Sequence, residues 1–187
     1  MQLKKGVVPF EIFNLRVSRN TDPSSWYYDL LQTPFGNLIV AGERSSITYI
    51  AFYENVHDAL ALLQKREGDI PLTFNKGSFS VIDQLLQGGK ISSKILLNIK
   101  GTDFQKRVWE QLMKIPFGTT ISYGEIAAAI GQPGASRAVG SAVGKNPIAY
   151  FIPCHRVLAS GGSIGGYYWG LDVKKKIIDW ENSLLSH

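Results

Sequence analysis

The strongest constraint on the fold is a pair of helix-capping motifs in the second half of the chain. The segments TDFQ at 102–105 and SYGE at 122–125 each place a hydroxyl residue three positions before Gln or Glu. In such a capping box the two side chains satisfy the free amides of a helix's first turn. Pro116 and Gly118 follow the first predicted helix and Gly131 follows the second, so both helices are predicted to be short.

A third helix is predicted from about residue 135 to residue 144, after a tight turn at residues 132–134. Helix, short glycine-containing turn and helix is the arrangement of a helix-turn-helix. The third helix is rich in small residues, which would let its backbone approach either another helix or a nucleic-acid groove. Arg137, near its start, is the single long side chain there. Arg137 is either a surface residue with an exposed ion pair or a group that reaches a partner.

The first half of the chain predicts a small sheet with helices. Turn signals separate three strand-like runs, which favours an antiparallel meander; the runs are 26–31, 37–41 and 47–52. Two helices and one loop are also predicted, at 56–66, 78–86 and 20–24. The pattern changes near residues 88–100, and we predict two domains, 1–91 and 92–187. The class is α+β.

Charge and cysteine content limit the function classes. Residues 1–91 carry nine Lys/Arg and nine Asp/Glu, whereas residues 92–187 carry eleven and six, so the whole net charge of +5 lies in the second part. A basic half favours a polyanionic partner such as nucleic acid. One cysteine can form neither an internal disulfide nor a cysteine-rich zinc site. No signal peptide and no apolar run long enough to cross a bilayer is seen, so a reducing, cytoplasmic location is expected, or a nuclear one in a eukaryote.

The single cysteine, Cys154, lies in the segment PCHR. The apolar run 148–152 before it predicts a buried strand, and Pro153 would fix the backbone just before the thiol. A thiolate attacks carbon, and His155 and Arg156 supply an imidazole that can take the proton and a positive charge that can stabilise the anion. On an extended strand neighbouring side chains point to opposite faces, so His155 would reach the sulfur only through a turn or a bridging water. A buried, inert core cysteine is the alternative.

The order and spacing of these residues resemble the O6-alkylguanine-DNA alkyltransferase (methylated-DNA–protein-cysteine methyltransferase) family. The resemblance is dense over residues 101–181 and carried by GTDFQKRVWEQLMKIPFGTTISYGEIAAAIG and SRAVGSAVGKNPIAYFIPCHRVLASGGSIGGYYWGL. The most specific segment is IPCHRV after NP, with SRAVG before it and GYYWG after it. Weaker resemblance extends back to TPFGNLIVAG and ITYIAFYE.

The resemblance implies a fold and a reaction. The fold is a small ribonuclease H-like domain followed by a mostly helical winged helix-turn-helix domain. The reaction moves an alkyl group irreversibly, once per molecule, from O6 of a flipped guanine to Cys154; O4 of thymine stays open as a second position. His155 matches the base that acts through water, and Glu181 matches the carboxylate behind the imidazole. Further residues support this site: Asn146, Pro153 and Arg156.

The resemblance also implies the DNA contacts. Arg137 matches the finger that enters the base stack in place of the flipped nucleotide. Tyr123 matches the tyrosine that crowds the target phosphate and binds the extruded base, and Gly124 is expected among the DNA- or base-binding residues. Ser160 matches a residue near the DNA backbone, and the backbone amide of Tyr168 matches the group that contacts O6. The expected partner is double-stranded DNA containing O6-alkylguanine, bound in the minor groove by a monomer that needs no protein partner.

Two departures from some relatives concern the metal content and the pocket. Some relatives bind a structural zinc ion through N-terminal Cys and His, and this chain lacks those cysteines, so we expect no zinc and no cofactor. Trp169 and Ala149 occupy positions that are Gly and Pro in some relatives, and Trp169 would narrow the pocket against bulky adducts.

Two other function classes are alternatives. A non-catalytic helix-turn-helix protein that flags lesions or regulates genes would explain the basic half, but not Cys154, His155 and Glu181 together. A thiol hydrolase would use Cys154 and His155, but would leave Arg137 and Tyr123 without a role. Turnover separates the last class, because a hydrolase is catalytic whereas an alkyltransferase is stoichiometric.

Overall fold

The computed structural model describes residues 13–18, 25–87, 91 and 94–185. The chain divides into two compact units, Met1–Lys100 and Gly101–His187. Across the described residues it is a mixed α/β protein with six α-helices, a six-stranded sheet and a two-stranded ladder. No helix in those ranges has the length and apolar character that a bilayer crossing requires.

The first unit is built on the six-stranded sheet. Its strands are β1 (Phe13–Ser18), β2 (Trp26–Thr33), β3 (Gly36–Glu43), β4 (Ser46–Tyr53), β5 (Leu72–Phe74) and β6 (Ile95–Lys100). Its two helices are α1 (Val56–Glu67) and α2 (Ser80–Leu86). The strand order is β1-β6-β4-β3-β2-β5. The antiparallel pairs are β2–β3 and β3–β4, and the other neighbours are parallel.

The predicted meander and both predicted helices of this unit are confirmed. Consecutive residues of β3 are buried, from Leu38 to Ala41, so both faces of this central strand are covered. Helix α1 begins at Asn55, whose side chain accepts hydrogen bonds from the amides of His57 and Asp58. The predicted loop at 20–24 lies outside the described residues.

The predicted boundary between residues 91 and 92 differs from the division in the structure. Strand β6 pairs with β1 and, at Ser46–Ile47, with β4, so it belongs to the sheet of the first unit. The first unit therefore extends to Lys100. Sequence reasoning missed β1, β5 and β6, although the alternating burial of Ile95, Leu97 and Ile99 reflects a period of two that the sequence ILLNIK also carries.

The second unit consists of short helices joined by tight turns. Its elements are α3 (Asp103–Leu112), β7 (Ile121–Ser122), α4 (Tyr123–Ala129), α5 (Ser136–Gly144), β8 (Val157–Leu158) and α6 (Leu171–Leu185). Both predicted capping boxes are present with both hydrogen bonds, at Thr102–Gln105 and at Ser122–Glu125. Strands β7 and β8 pair in parallel.

The predicted strand at residues 148–152 is wrong. The segment between α5 and Cys154 is a series of turns, closed by bonds from the Phe151 amide to Ala149 O and from the Ile152 amide to Ile148 O. Residues 146–153 are nevertheless all buried. A short apolar run signals burial but not extended geometry, and here turns satisfy the backbone in place of a ladder.

Candidate active site

The single cysteine begins a one-turn 3-10 helix, Cys154–Arg156, at the end of the buried turns. Pro153 precedes this turn, and its carbonyl accepts from the Arg156 amide at 3.0 Å. The Cys154 amide donates to Ile152 O at 2.7 Å. The helical turn, and not an extended strand, therefore sets the relative directions of the Cys154 and His155 side chains.

Asn146 organises the segment that carries the thiol. Its Nδ2 lies 3.1 Å from Ile148 O, 2.8 Å from Ile152 O and 3.1 Å from Cys154 Sγ. Its Oδ1 accepts from the Ile148 amide at 2.9 Å. One buried amide side chain thus holds the turns and donates a hydrogen bond to the sulfur.

The environment of the thiol contains opposing influences. Burial raises the pKa of Cys154, while its hydrogen bonds with Asn146 and Tyr167 and the positive charge of Lys174 act to lower it. The Tyr167 hydroxyl lies 4.0 Å from Sγ. Burial prevails, so the resting thiol is protonated and needs a base before it can attack carbon.

His155 and Glu181 form a buried pair. His155 Nε2 lies 3.0 Å from Glu181 Oε1, and both side chains are almost wholly inaccessible. Burial lowers the pKa of His155, against the hydrogen bond and charge of Glu181, which act to raise it. His155 is therefore neutral at pH 7, and its other ring nitrogen, Nδ1, has no partner among the described residues. A neutral imidazole held by a carboxylate has the form of a general base.

Arg156 pairs with the same carboxylate. Its Nε lies 3.2 and 3.1 Å from the two oxygens of Glu181, and Nη2 lies 2.7 Å from Oε1. Burial acts to raise the pKa of Glu181, but the hydrogen bonds and charges of His155 and Arg156 prevail and lower it to about 2. The carboxylate is thus ionised at all ordinary pH values. The sequence interpretation of Arg156 as a charge that stabilises the thiolate is replaced by this pairing.

The turn after α3 is tied to this cluster. Arg156 Nη1 donates to Ile115 O at 2.7 Å, and the Gly118 amide donates to Glu181 Oε2 at 2.9 Å. Gly118 has φ of 70°, in the left-handed region that favours glycine. The arrangement joins α3, the 3-10 turn and α6 through one carboxylate.

The cation whose charge acts on the Cys154 thiol is Lys174 of α6, which sequence reasoning missed. Its side chain is fully buried, and its Nζ donates to Val157 O at 2.7 Å and to Ile164 O. Nζ also lies 5.9 Å from the centroid of the Tyr167 ring. Burial lowers the pKa of Lys174, and the charge of Cys154 acts to raise it. In the sequence it stands first in a run of three lysines that looks like a solvated helix face, so no local signal marks it.

A cavity of about 240 Å³ opens beside the thiol. Its lining comes from α4, α5, the buried turns and the loop before α6: Tyr123, Gly140, Val143, Gly144, Asn146, Cys154, Gly166, Tyr167, Tyr168 and Trp169. The cavity brings two of the predicted base-binding residues, Tyr123 and Tyr168, together with the predicted acceptor. Trp169 packs edge-on against Tyr168 with 4.6 Å between centroids, and Ala149 is buried in the turns.

A second, more open groove of about 590 Å³ lies next to this cavity and shares Tyr123 and Gly140 with it. The remaining lining residues are Ser122, Gly124, Ser136, Arg137, Ala159, Ser160 and Gly161. The structure therefore brings Gly124, Arg137 and Ser160 to one surface, and Arg137 is exposed there.

Comparisons with known proteins point to one family. A family model described as the DNA binding domain of 6-O-methylguanine DNA methyltransferase matches residues 103–183. The methylated-DNA–protein-cysteine methyltransferase of Mycobacterium tuberculosis is 40% identical over 161 residues, which cover 84% of this chain and 93% of the relative. The corresponding protein of Methanosarcina barkeri is 39% identical over 165 residues, covering 85% and 99%.

Solved structures of similar fold come from the same group of proteins. The crystal structure of the M. tuberculosis O6-methylguanine methyltransferase matches with a TM-score of 0.70 at 40% identity, covering 84% of this chain and 93% of that one. A structure of the M. tuberculosis protein in complex with DNA matches with a TM-score of 0.70 at 39% identity, covering 84% and 94%. The archaeal enzyme from Pyrococcus kodakaraensis matches with a TM-score of 0.60 at 25% identity, covering 83% and 98%. The chain belongs to the methylated-DNA–protein-cysteine methyltransferase family, so the family predicted from the sequence is confirmed.

Proposed function

We propose that this chain repairs DNA by moving an alkyl group from O6 of guanine to Cys154, once per molecule and without a cofactor. One observation carries the proposal. The Cys154 thiol lies in the wall of a cavity, and the next residue, His155, is a neutral histidine bonded to the buried carboxylate of Glu181. Membership in the family and the DNA complex of its M. tuberculosis relative support the substrate.

The chemical step follows from the roles proposed for three residues. His155 accepts the thiol proton through a bridging water, and Glu181 stabilises the imidazolium that forms. The Cys154 thiolate then attacks the alkyl carbon, so that an S–C bond forms while the C–O6 bond breaks. The bonding electrons stay on the guanine, which takes up a proton and leaves as the normal base. The thioether product is not reversed by thiol exchange, so each molecule reacts once.

The DNA contacts are proposed from the groove beside the cavity. Helix α5 enters the minor groove with its small residues, and Arg137 takes the place of the flipped nucleotide in the stack. Gly124 and Ser160 lie near the phosphates, and Tyr123, which lines both groove and cavity, guides the base toward Cys154. The Tyr168 backbone amide contacts O6, and Trp169 restricts the adduct size. Binding through phosphates predicts little sequence preference and strong salt dependence.

The finer fold assignments and the assembly state belong to the same proposal. Helices α4 and α5 with the β7–β8 ladder form the winged helix-turn-helix. The meander β2–β4, followed by α1 and the parallel strand β5, supports a ribonuclease H-like first domain. The protein acts as a monomer, and the domains follow the two units of the chain.

Intact-mass spectrometry tests the reaction. The protein and its Cys154→Ala variant are incubated with a duplex that carries one O6-methylguanine. We expect one methyl group on the wild type, saturating at one per molecule, and none on the variant. Binding of the duplex without any mass change would overturn the proposal and favour a non-catalytic DNA-binding protein. More than one demethylated duplex per molecule would instead indicate a turnover enzyme.

A further inference from the structure

An aromatic residue that no motif singles out stacks on the His155 ring. Tyr150 stacks on His155 with 5.8 Å between ring centroids and 8° between ring planes. Tyr150 is buried and lies in the turns between α5 and Cys154. Glu181 holds the edge of the imidazole at Nε2, so Tyr150 and Glu181 restrain two different motions of the same ring.

The backbone of Tyr150 is in an uncommon conformation. Its φ is 67°, and it is the sole non-glycine residue with positive φ among the ranges that the structure describes. A tyrosine in the left-handed region is strained, and such strain persists only where the surroundings determine it. This backbone conformation directs the Tyr150 ring toward His155 and not along the path that an extended strand would take.

The Tyr150 ring is itself held in place by two aromatic neighbours. Phe151 packs edge-on at 5.1 Å and Trp180 at 6.3 Å between centroids. Trp180 immediately precedes Glu181 in α6, so one turn of that helix positions both the ring behind Tyr150 and the carboxylate on His155. Burial and the charge of Glu181 raise the pKa of Tyr150, against the charge of Arg156. The phenol is therefore neutral whenever His155 titrates.

We infer that Tyr150 is a positioning residue for the alkyl transfer, which holds the His155 imidazole in plane and limits bulk solvent on the side of the ring that it stacks on, leaving Nδ1 to the bridging water. This inference rests on the proposed function. The ring fixes the direction of Nδ1 while Nε2 is bonded to Glu181. The charged groups that act on His155 are Glu181 and Lys174 from α6 and Arg156 from its own turn.

Replacement of the Tyr150 ring should lower the rate of alkyl transfer and raise the pKa of His155 together. Tyr150→Asn removes the ring but suits the left-handed backbone, because asparagine tolerates that region. Bulk water then reaches the imidazole, so the pKa of His155 rises toward its ordinary value and the acid limb of the pH–rate profile moves to higher pH. We expect the single-turnover rate to fall about tenfold near pH 6 and less near pH 8. Tyr150→Phe retains the ring and should restore both the rate and the profile.

Two further measurements distinguish a positioning role of Tyr150 from a general loss of stability. Leu112→Ala creates a cavity in α3, in the same unit, and should lower the melting temperature without moving the pH profile. NMR titration of the His155 ring, with exposed His57 as the reference, measures the pKa without any DNA. Because this readout needs no substrate, failure of alkyl transfer in the wild type would overturn the proposed function alone.

The outcomes decide the role of Tyr150. A raised pKa of His155 and a shifted pH profile in Tyr150→Asn, both restored in Tyr150→Phe, support it. An unchanged pKa and profile in a folded Tyr150→Asn would overturn it. If that variant does not fold, Tyr150→Leu retains an apolar side chain without the ring. An unchanged His155 pKa and pH profile in Tyr150→Leu would overturn the inference in the same way.

Discussion

The two units of the chain hold their backbones in different ways. In the first unit, the strands β2, β3 and β4 satisfy one another through an antiparallel ladder from Tyr27 to Tyr53, which is interrupted between β3 and β4 by one shift of register at Ala41 and Gly42. In the second unit, the segments around the thiol have little ladder, and three buried or half-buried side chains donate to main-chain carbonyls in its place. These donors are Asn146, Arg156 and Lys174.

The buried carboxylates show the same contrast. Glu67 in the first unit pairs with Lys100 and Arg66, whose side chains remain 30% and 29% exposed. Glu181 in the second unit pairs with His155 and with Arg156, whose side chain is only 12% exposed. Glu67 lies at the end of helix α1. Glu181 instead joins the turn after α3, the 3-10 turn and α6 around the reactive thiol. In the second unit the same side chains therefore serve both stability and the proposed reaction, whereas in the first unit Glu67 serves stability alone.

The largest expected effect compares these two carboxylates. Glu181→Gln leaves Arg156 without its counter-ion in a nearly dry site, so the free energy of unfolding should fall by about 3–5 kcal/mol. The rate of alkyl transfer should fall about 100-fold, because the imidazolium loses its support. Glu67→Gln should cost about 1 kcal/mol, since its partners stay solvated, and leave the rate unchanged.

Urea denaturation and single-turnover transfer from an O6-methylguanine duplex measure these effects. Comparable stability losses in Glu181→Gln and Glu67→Gln would contradict the contrast between the units. A normal rate in folded Glu181→Gln would remove the carboxylate from the proposed mechanism.

Lowering the pH should protonate Glu181 and remove its contribution to the free energy of unfolding. Its pKa is about 2 in the folded protein against an ordinary value of 4.5. Its contribution to stability is therefore complete above pH 4.5 and is lost as the pH falls from 4.5 toward 2. The difference in unfolding free energy between wild type and Glu181→Gln should shrink by about 3 kcal/mol over that window. Urea denaturation at a series of pH values checks this, and a difference independent of pH would contradict it.

What the sequence predicted correctly was local. The capping boxes at Thr102–Gln105 and Ser122–Glu125 depend on residues three positions apart, and both are present. The meander depends on neighbouring strands separated by turn residues, and it is present too. The segment PCHR pointed to His155, and the family resemblance added Glu181 as its partner, which lies 26 positions away and which no periodicity connects to it.

What the sequence did not predict depends on tertiary contacts. Strands β1 and β6 pair in parallel although most of the first unit separates them in sequence, so no hairpin signal marks them. The run 148–152 is apolar because it is buried, and its turns are held by backbone hydrogen bonds together with the Asn146 side chain. Lys174 and Tyr150 act through partners that the folded chain alone brings together.

The smallest of these effects concerns Lys174 and compares it with its neighbour Lys175. Lys174→Met retains the length of the side chain but leaves Val157 O and Ile164 O without their donor, so stability should fall by about 2 kcal/mol. The variant also removes the positive charge that acts to lower the pKa of Cys154. The thiol pKa should therefore rise further, and less thiolate is available at pH 7. Lys175 is exposed, and Lys175→Met should change neither property.

The pH dependence of thiol alkylation by iodoacetamide separates the two effects of Lys174→Met. A charge effect moves the midpoint of that profile to higher pH, whereas a purely structural effect lowers stability and leaves the midpoint in place. The same shift in Lys175→Met would mean that the general charge of α6, and not the buried ammonium beside Tyr167, sets the reactivity of the sulfur. The contrast between the units would then apply to stability alone, because the chemistry would no longer depend on a side chain that holds the backbone.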